Sequence, residues 1–343
     1  GGNISWRSKS QNLHIGTTTA ATMFSLPVVA SSAPYRAMEF TGNYNVTSGI
    51  DARWLWKNFN FFGEYGRSLN GRQGLVSGLI ASLSPQWEMA TVIRNYSPDF
   101  HSFYGRAFGE NYRSINEKGM YWGVAYKPSK YLSFRAYYDR FKFPWMKYLV
   151  HGPSEGQEYL LRADFRPNKQ LAMFLQYREE TKDRNLHIPT GNINFPSAVN
   201  RQNFLANIDY YSGRIIHLRS RVQFSKYDQE NYHTYGYAII QDFDVNLSKV
   251  RFNSRFALFD TEDYNNRQYV FEKNVLYSFS LPAYYGRGIR TYLMTIFRIW
   301  RKTDVSFRYA RTIFQDRTVI SSGNEQIEGN RRTDITVQML CRF

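Results

Sequence analysis

Only one cysteine, Cys341, occurs in 343 residues, which excludes an intramolecular disulfide and any multi-cysteine zinc site. Long apolar runs are missing too. The longest uncharged stretch, Ile15 to Tyr35, is rich in Thr and Ser and contains Pro27 and Pro34, so it cannot serve as the roughly 20-residue apolar helix that crosses a bilayer. Catalytic motifs are equally scarce. The six histidines (His14, His101, His151, His187, His217, His233) show no HExxH spacing, and no GxSxG elbow is present. The densest acid and histidine cluster, Asp99, His101, Glu110 and Glu117, reads as loop carboxylates beside one histidine, so neither an enzyme nor a cofactor is expected. Recognition helices, zinc fingers and RNA-binding aromatic motifs are absent, so the formal charge of +16, from 44 basic and 28 acidic residues, does not point to nucleic acid. Phosphorylated lipid headgroups or an acidic passenger suit it better. The chain starts at Gly1 with no Met and no charged leader, so it is expected to be processed or to be one part of a longer protein.

What the sequence has in excess is aromatics and alternation. Aromatics make up 17% of the residues, as 27 Tyr, 26 Phe and 7 Trp, at low mean hydropathy. A soluble protein would have to bury that many rings, whereas a membrane barrel sets them in girdles at the two interfaces. In the last stretch, Phe343, Cys341, Met339, Val337 and Ile335 alternate with Arg342, Gln338, Thr336 and Asp334, the two-residue period of a strand with unlike faces. A terminal aromatic on the apolar face is the barrel-closing signal expected of an outer-membrane wall strand, with Phe343, Cys341, Met339 and Val337 as its members.

The same pattern recurs along the chain. Ile50, Ala52, Trp54 and Trp56 oppose Asp51, Arg53 and Lys57. Tyr159, Leu161, Ala163 and Phe165 oppose Arg162, Asp164 and Arg166. About 17 such segments appear, each of the roughly 9 to 11 residues that span a tilted wall. Short and long links alternate. Tight turns fall at Lys57, Pro85, 128–130, 167–169, 212–213, Ser248 and 301–303, and longer links at 25–45, 69–72, 96–118, 142–156, 181–200, 227–232, 260–287 and 316–330. The expected fold is all-β: a single transmembrane antiparallel up-and-down β-barrel over residues 1–343, of about 16–18 strands, with short periplasmic turns and long extracellular loops. Bacterial barrels usually have an even strand number, so one strand is expected from 269–281, from before Gly1 or from another chain. Residues 260–287 otherwise read as an external hairpin.

The predicted lumen lining is Arg53, Glu64, Arg94, Arg135, Asp139, Arg162, Asp164, Arg219, Arg221, Asp242, Asp244, Arg251, Arg255, Arg298 and Arg308. It is either an anion-favouring selectivity surface or, more plainly, an ion-pair network that braces the wall. Basic residues in the outer loops, Arg106 and Arg113 among them, suit lipopolysaccharide phosphates or are simply solvated.

Two loops carry distinctive text. Arg94, Asn95, Tyr96, Ser97 and Pro98 lead to Phe103, Tyr104, Gly105, Arg106, Ala107, Phe108, Gly109 and Glu110, then to Asn116, Glu117, Lys118 and Gly119; later come Phe143, Pro144 and Trp145. This text resembles a family of Bacteroidota outer-membrane proteins in which a periplasmic helix-hairpin-helix segment precedes a large barrel. The resemblance covers roughly residues 50 to 343, and no such segment is found here. It implies an outer-membrane barrel of a Gram-negative bacterium and no established activity. Loops so rich in Gly, Pro and aromatics hold one shape. Tyr96, Pro98, Phe103, Tyr104, Phe108, Glu110, Asn116, Glu117, Phe143, Pro144 and Trp145 are therefore candidates for docking a partner or plugging the lumen. Three functions follow: a subunit of a larger outer-membrane assembly, secretion or transport complex; a stand-alone porin or substrate channel; and, last, a surface enzyme. Expected partners are outer-membrane lipid, lipopolysaccharide and other outer-membrane or periplasmic proteins.

Overall fold

A computed structural model describes residues 1–186, 195–300 and 302–342. Arg301, Phe343 and the middle of the 181–200 link lie outside the described residues. In chain order the strands are β1 (Gly2–Arg7), β2 (Leu13–Val28), β3 (Gly42–Trp56), β4 (Phe59–Ser68), β5 (Gln73–Ser82), β6 (Trp87–Tyr96), β7 (Glu117–Tyr126) and β8 (Leu132–Phe143). Then come β9 (Ser154–Phe165), β10 (Leu171–Asn185), β11 (Pro196–Ser212), β12 (Ile216–Gln229), β13 (Tyr232–Asn246) and β14 (Val250–Thr261). Last are β15 (Gln268–Tyr269), β16 (Ala283–Tyr284), β17 (Arg287–Trp300), β18 (Thr303–Phe314), β19 (Val319–Ile320), β20 (Ile327–Glu328) and β21 (Arg331–Cys341). Seventeen of them form one antiparallel up-and-down sheet, while β15–β16 and β19–β20 are separate two-stranded hairpins. The fold is that of an antiparallel transmembrane β-barrel wall, and no helix is long and apolar enough to cross a membrane among the described residues.

The chain divides into two compact units, residues 1–129, 133–161 and 179–200, and residues 130–132, 162–178 and 201–343. In the second unit the register shows why the two faces differ. Directly opposite residues share a face, and one row runs Leu218, Phe243, Ser254, Leu293, Tyr309 and Ile335. The adjacent row runs Arg219, Asp242, Arg255, Tyr292 and Ala310. Phe243, Leu293 and Ile335 stand exposed, whereas Asp242, Arg255, Tyr292 and Ala310 are buried. This is the reverse of a soluble protein, with grease outside and charge inside. Each large apolar side chain left in water forgoes about 1.5–3 kcal/mol of burial, so a wall carrying dozens of them is stable only against lipid.

In the first unit, Trp54 stacks on Phe61 at 5.4 Å and Trp87 on Tyr126 at 4.2 Å, while the Lys57 ammonium lies 5.3 Å from the Trp56 ring. These rings gather beside the short turns, as in an interfacial girdle.

Three expectations are corrected. First, many strands exceed a bare membrane crossing: β2, β3, β10 and β11 have 16, 15, 15 and 17 residues, because their ladders continue beyond the lipid. Second, the link at 227–232 is a two-residue turn between Gln229 and Tyr232, with Glu230 at φ 52°, as tight as the links at the opposite ends of the strands. Third, residues 269–281 contribute no wall strand. A hairpin does form there, pairing Gln268 with Tyr284 and Tyr269 with Ala283, but it turns back onto the polar face of the second unit.

Candidate functional site

The polar face of each unit is covered in part by one of the chain's own loops, held in each case by a fully buried glutamate.

In the first unit the loop between β6 and β7 folds onto β3, β4 and β5. Phe100, 6% exposed, rests on Gly66 and Gly74, where a Cβ would come within 3.2 and 2.7 Å of its ring. The carbonyl of His101 accepts from Asn45 Nδ2 (3.0 Å) and Thr47 Oγ1 (2.7 Å). The loop then closes around Glu117, which accepts from the backbone N–H of Glu110 (2.8 Å) and of Asn111 (2.7 Å). Arg94 Nε donates to Glu117 at 2.5 Å, and its two terminal nitrogens grip Asp139 at 2.8 and 3.1 Å. The side chains of Arg94 and Glu117 are fully buried. A charge pair of this kind persists in a dry site only where the remaining donors and acceptors are satisfied, and here two loop amides complete Glu117.

The loop residues singled out in the sequence separate into two groups. Tyr96, Asn116, Glu117 and Phe143 are buried. The Tyr96 hydroxyl donates to the Phe108 carbonyl at 2.7 Å, and the Phe108 ring lies 5.4 Å from the Arg94 guanidinium. Asn116, at φ 52°, joins this loop to the next: its Nδ2 donates to the Trp145 carbonyl (2.9 Å) and its Oδ1 accepts the Trp145 N–H (2.7 Å). Glu110 pairs with Lys182 at 2.6 Å; burial pushes its carboxyl above the usual range, with Lys182 opposing. Burial also lowers Lys147, helped by the neighbouring Lys182, to about 8, and its ammonium sits 3.2 Å from the Phe143 ring centroid. Tyr104 (78% exposed), Phe108 and Phe103 are exposed instead, with Pro98 half-buried and Pro144 exposed. The acid and histidine cluster is dispersed, since Asp99 pairs with Arg72, Glu110 with Lys182 and Glu117 with Arg94. Among the described residues no three His, Cys, Asp or Glu side chains form a metal-holding group.

In the second unit the link from β14 to β17 lies across the polar face. Glu272, 0% exposed, accepts from Arg290 Nε (2.7 Å) and the Tyr284 hydroxyl (2.8 Å) on Oε1. Its Oε2 takes Arg290 Nη2 (2.9 Å) and Arg308 Nη2 (2.6 Å). The wall also reaches the loop backbone: Arg255 donates to the Phe271 carbonyl, Arg308 to that of Lys273 and Gln338 to that of Leu276. Lys273 returns a charge to Asp244 at 2.6 Å.

The predicted lining residues meet one another on this face. Arg255 grips Asp242 at 2.5 and 2.8 Å. Asp244 also accepts from Asn253 and His217, Arg219 pairs with Asp209, Arg221 donates to Asn207 and Arg162 to Asp164. Arg298 stands 3.5 Å from Asp304, and Arg251 is exposed. In the first unit Arg53, Glu64 and Arg135 are exposed. Of the closing residues, Val337 and Met339 are 67% and 62% exposed and Cys341 is exposed. Glu272, Tyr284, Arg290 and Lys273 escaped the sequence reading of the site. One signal was available: Glu272 is the only acid between Asp263 and Asp304, in a stretch crowded with arginine and lysine.

No protein-family model matches the chain, and no curated protein matches it in sequence. Among solved structures it is similar to outer-membrane expressed OmpT of Vibrio cholerae (10% identity, TM-score 0.43, covering 98% of this chain and 99% of that one). It is also similar to Salmonella typhi OmpF in complex with daunomycin (11% identity, TM-score 0.38, 96% of each). A third likeness is to the siderophore receptor PirA from Pseudomonas aeruginosa (11% identity, TM-score 0.46, 96% of this chain and 62% of that one). At these scores the likeness carries no inference about activity.

Proposed function

We propose that the chain is a non-enzymatic integral barrel of a Gram-negative outer membrane and a subunit of a larger assembly, secretion or transport complex there. The Bacteroidota resemblance, over roughly residues 50 to 343, belongs to the same proposal. The observation that carries it is the Glu272 strap. The chain's own loop covers part of the polar face in the second unit and satisfies its arginines, which leaves less of that face to water than an unobstructed pore would. In the first unit the ordered outer loops present Tyr104, Tyr148 and Tyr112 at 78%, 70% and 61% exposure, amphipathic rings of the kind enriched at protein interfaces. Outer-loop cations such as Arg106 and Arg113 suit lipopolysaccharide phosphates.

A stand-alone porin is the second reading, favoured by the exposed Arg53, Glu64 and Arg135 on the first unit's polar face. Planar-bilayer recording and extraction in mild detergent separate the two. A subunit is electrically silent and co-purifies with partners at fixed stoichiometry; lone barrels that conduct with anion preference establish the porin.

A further inference from the structure

The second unit holds a cavity of about 710 Å³ at its short-turn, periplasmic end. Lys130, Arg166, Lys169 and Arg219 line it together with Asp209 and Tyr211. Asp209 is the one acid of the lining, and its charge is already taken: it accepts from Arg219 Nε at 2.7 Å and from His217 Nε2 at 2.7 Å. His217 in turn stacks on Tyr211 at 4.4 Å, with the rings 7° from parallel, which fixes that wall of the cavity. Lys130 lies 4.9 Å from the Tyr131 ring, and among the described residues neither Arg166 nor Lys169 is joined to a carboxylate. Three cations from two separate turns thus converge on one cavity, and among the described residues none of them meets a carboxylate.

Membrane phosphates do not explain the arrangement. Arg219 belongs to the polar face, in register with Asp242 and Arg255, and Asp209 bonds to it from β11, on the side turned away from lipid. The occupant therefore arrives from the periplasmic water. The cavity is too large for a single inorganic anion, and its charges are spread over the turns 127–131 and 166–170 rather than focused on one point. We infer that this cavity is a docking site for an acidic peptide segment of a periplasmic protein, its carboxylates meeting Lys130, Arg166 and Lys169. The inference rests on the subunit reading and names one of its contacts.

The test uses the full chain in nanodiscs of zwitterionic lipid and fluorescence anisotropy of a labelled octaglutamate, with octaglutamine as control. Octaglutamate should bind, weaken with added salt and lose roughly tenfold in affinity in the Arg166→Glu/Lys169→Glu variant. Both positions flank an exposed turn; should the reversed variant fail to fold, Arg166→Gln/Lys169→Gln gives the same comparison without repulsion. Equal binding of octaglutamine, or affinity unchanged in both variants, overturns the site. Full displacement by inorganic phosphate, with diglutamate as good as octaglutamate, also overturns it and marks a small-anion site. Failure here with partners still co-purifying removes this site alone, whereas conducting lone barrels remove the subunit reading and leave the peptide measurement intact.

Discussion

Glu272→Gln preserves shape while removing one charge, and its effect can be worked out from the strap's geometry. Both carboxylate oxygens face guanidinium donors: Oε1 meets Arg290 Nε, and Oε2 meets Arg290 Nη2 and Arg308 Nη2. Whichever way a glutamine amide is turned, its NH₂ points at a donor. The substitution therefore leaves two guanidiniums, whose side chains are 8% and 4% exposed, without their buried counter-charge, Arg290 keeping only Asp334 at 3.6 Å. Breaking a buried pair from one side costs about 3–5 kcal/mol. The wall strands need not bear that cost, because the guanidiniums can recover water if the strap lifts. Apart from Glu272, the strap is tied to the wall by the Arg255, Arg308 and Gln338 bonds to its backbone and by Lys273 to Asp244, and no strand ladder joins it to the wall among the described residues. At 1.36 kcal/mol per power of ten, the lifted population should rise by roughly two to three and a half powers of ten.

Hydrogen exchange on residues 268–284 reads that population, and planar-bilayer current reads whether the uncovered face conducts. Protection should fall in 268–284 and hold in β14, β17 and β18. Unchanged protection in the strap refutes the anchoring role of Glu272. An equal loss in the neighbouring strands refutes the separability of strap and wall.

The other predictions concern the first unit and the lipid face. Gly119→Ala would put a Cβ 2.4 Å from the Arg94 guanidinium carbon, which two carboxylates already fix; a cost of about 1–3 kcal/mol should loosen the β6–β7 loop and speed tryptic cleavage after Arg106 and Arg113, and an unaltered digest would refute the clash. Asn116→Ala removes both links to Trp145 and leaves alanine at positive φ, so the two outer loops should exchange faster together; faster exchange of one alone would show that they are uncoupled. Lys147 gives a pH signature. Below about 8 folded and unfolded states both hold its proton, and between that value and the ordinary 10.5 the unfolded chain holds more, so loop stability rises with pH across this window. Amide protection of Val150, which donates to the Lys147 carbonyl, should increase there after correction for intrinsic exchange and stay flat in Lys147→Met. Val337→Arg should cost about 2–4 kcal/mol in lipid if this position lies near mid-bilayer; denaturant unfolding in liposomes with no loss would place Val337 away from the membrane core.

Wall residues were legible in the sequence because each depends only on its parity. Arg94 and Asp139 were assigned inward from the alternation of their own strands, and the register needed nothing more than hairpin turns such as Lys57, at φ 52°, to bring neighbours together. The loops were not legible, for a different reason. Glu272 lies 18 and 36 residues from its two arginine partners, and no periodicity links a loop carboxylate to the wall positions it will meet. The turns around it gave the hairpin correctly and left its direction open. What sets the direction is electrostatic: several guanidiniums projecting from β14, β17 and β18 onto one dry face are untenable without an anion, and past Asp263 the loop from β14 to β17 holds one acid, Glu272. The same reasoning applies to the first unit, where Arg94 stands next to Gly119 and the vacant Cβ space admits its guanidinium between Glu117 and Asp139. An unbalanced arginine on a predicted inner face is thus a sequence-level indication that a distant loop acid will fold in to meet it, and the intervening glycines indicate where it can fit.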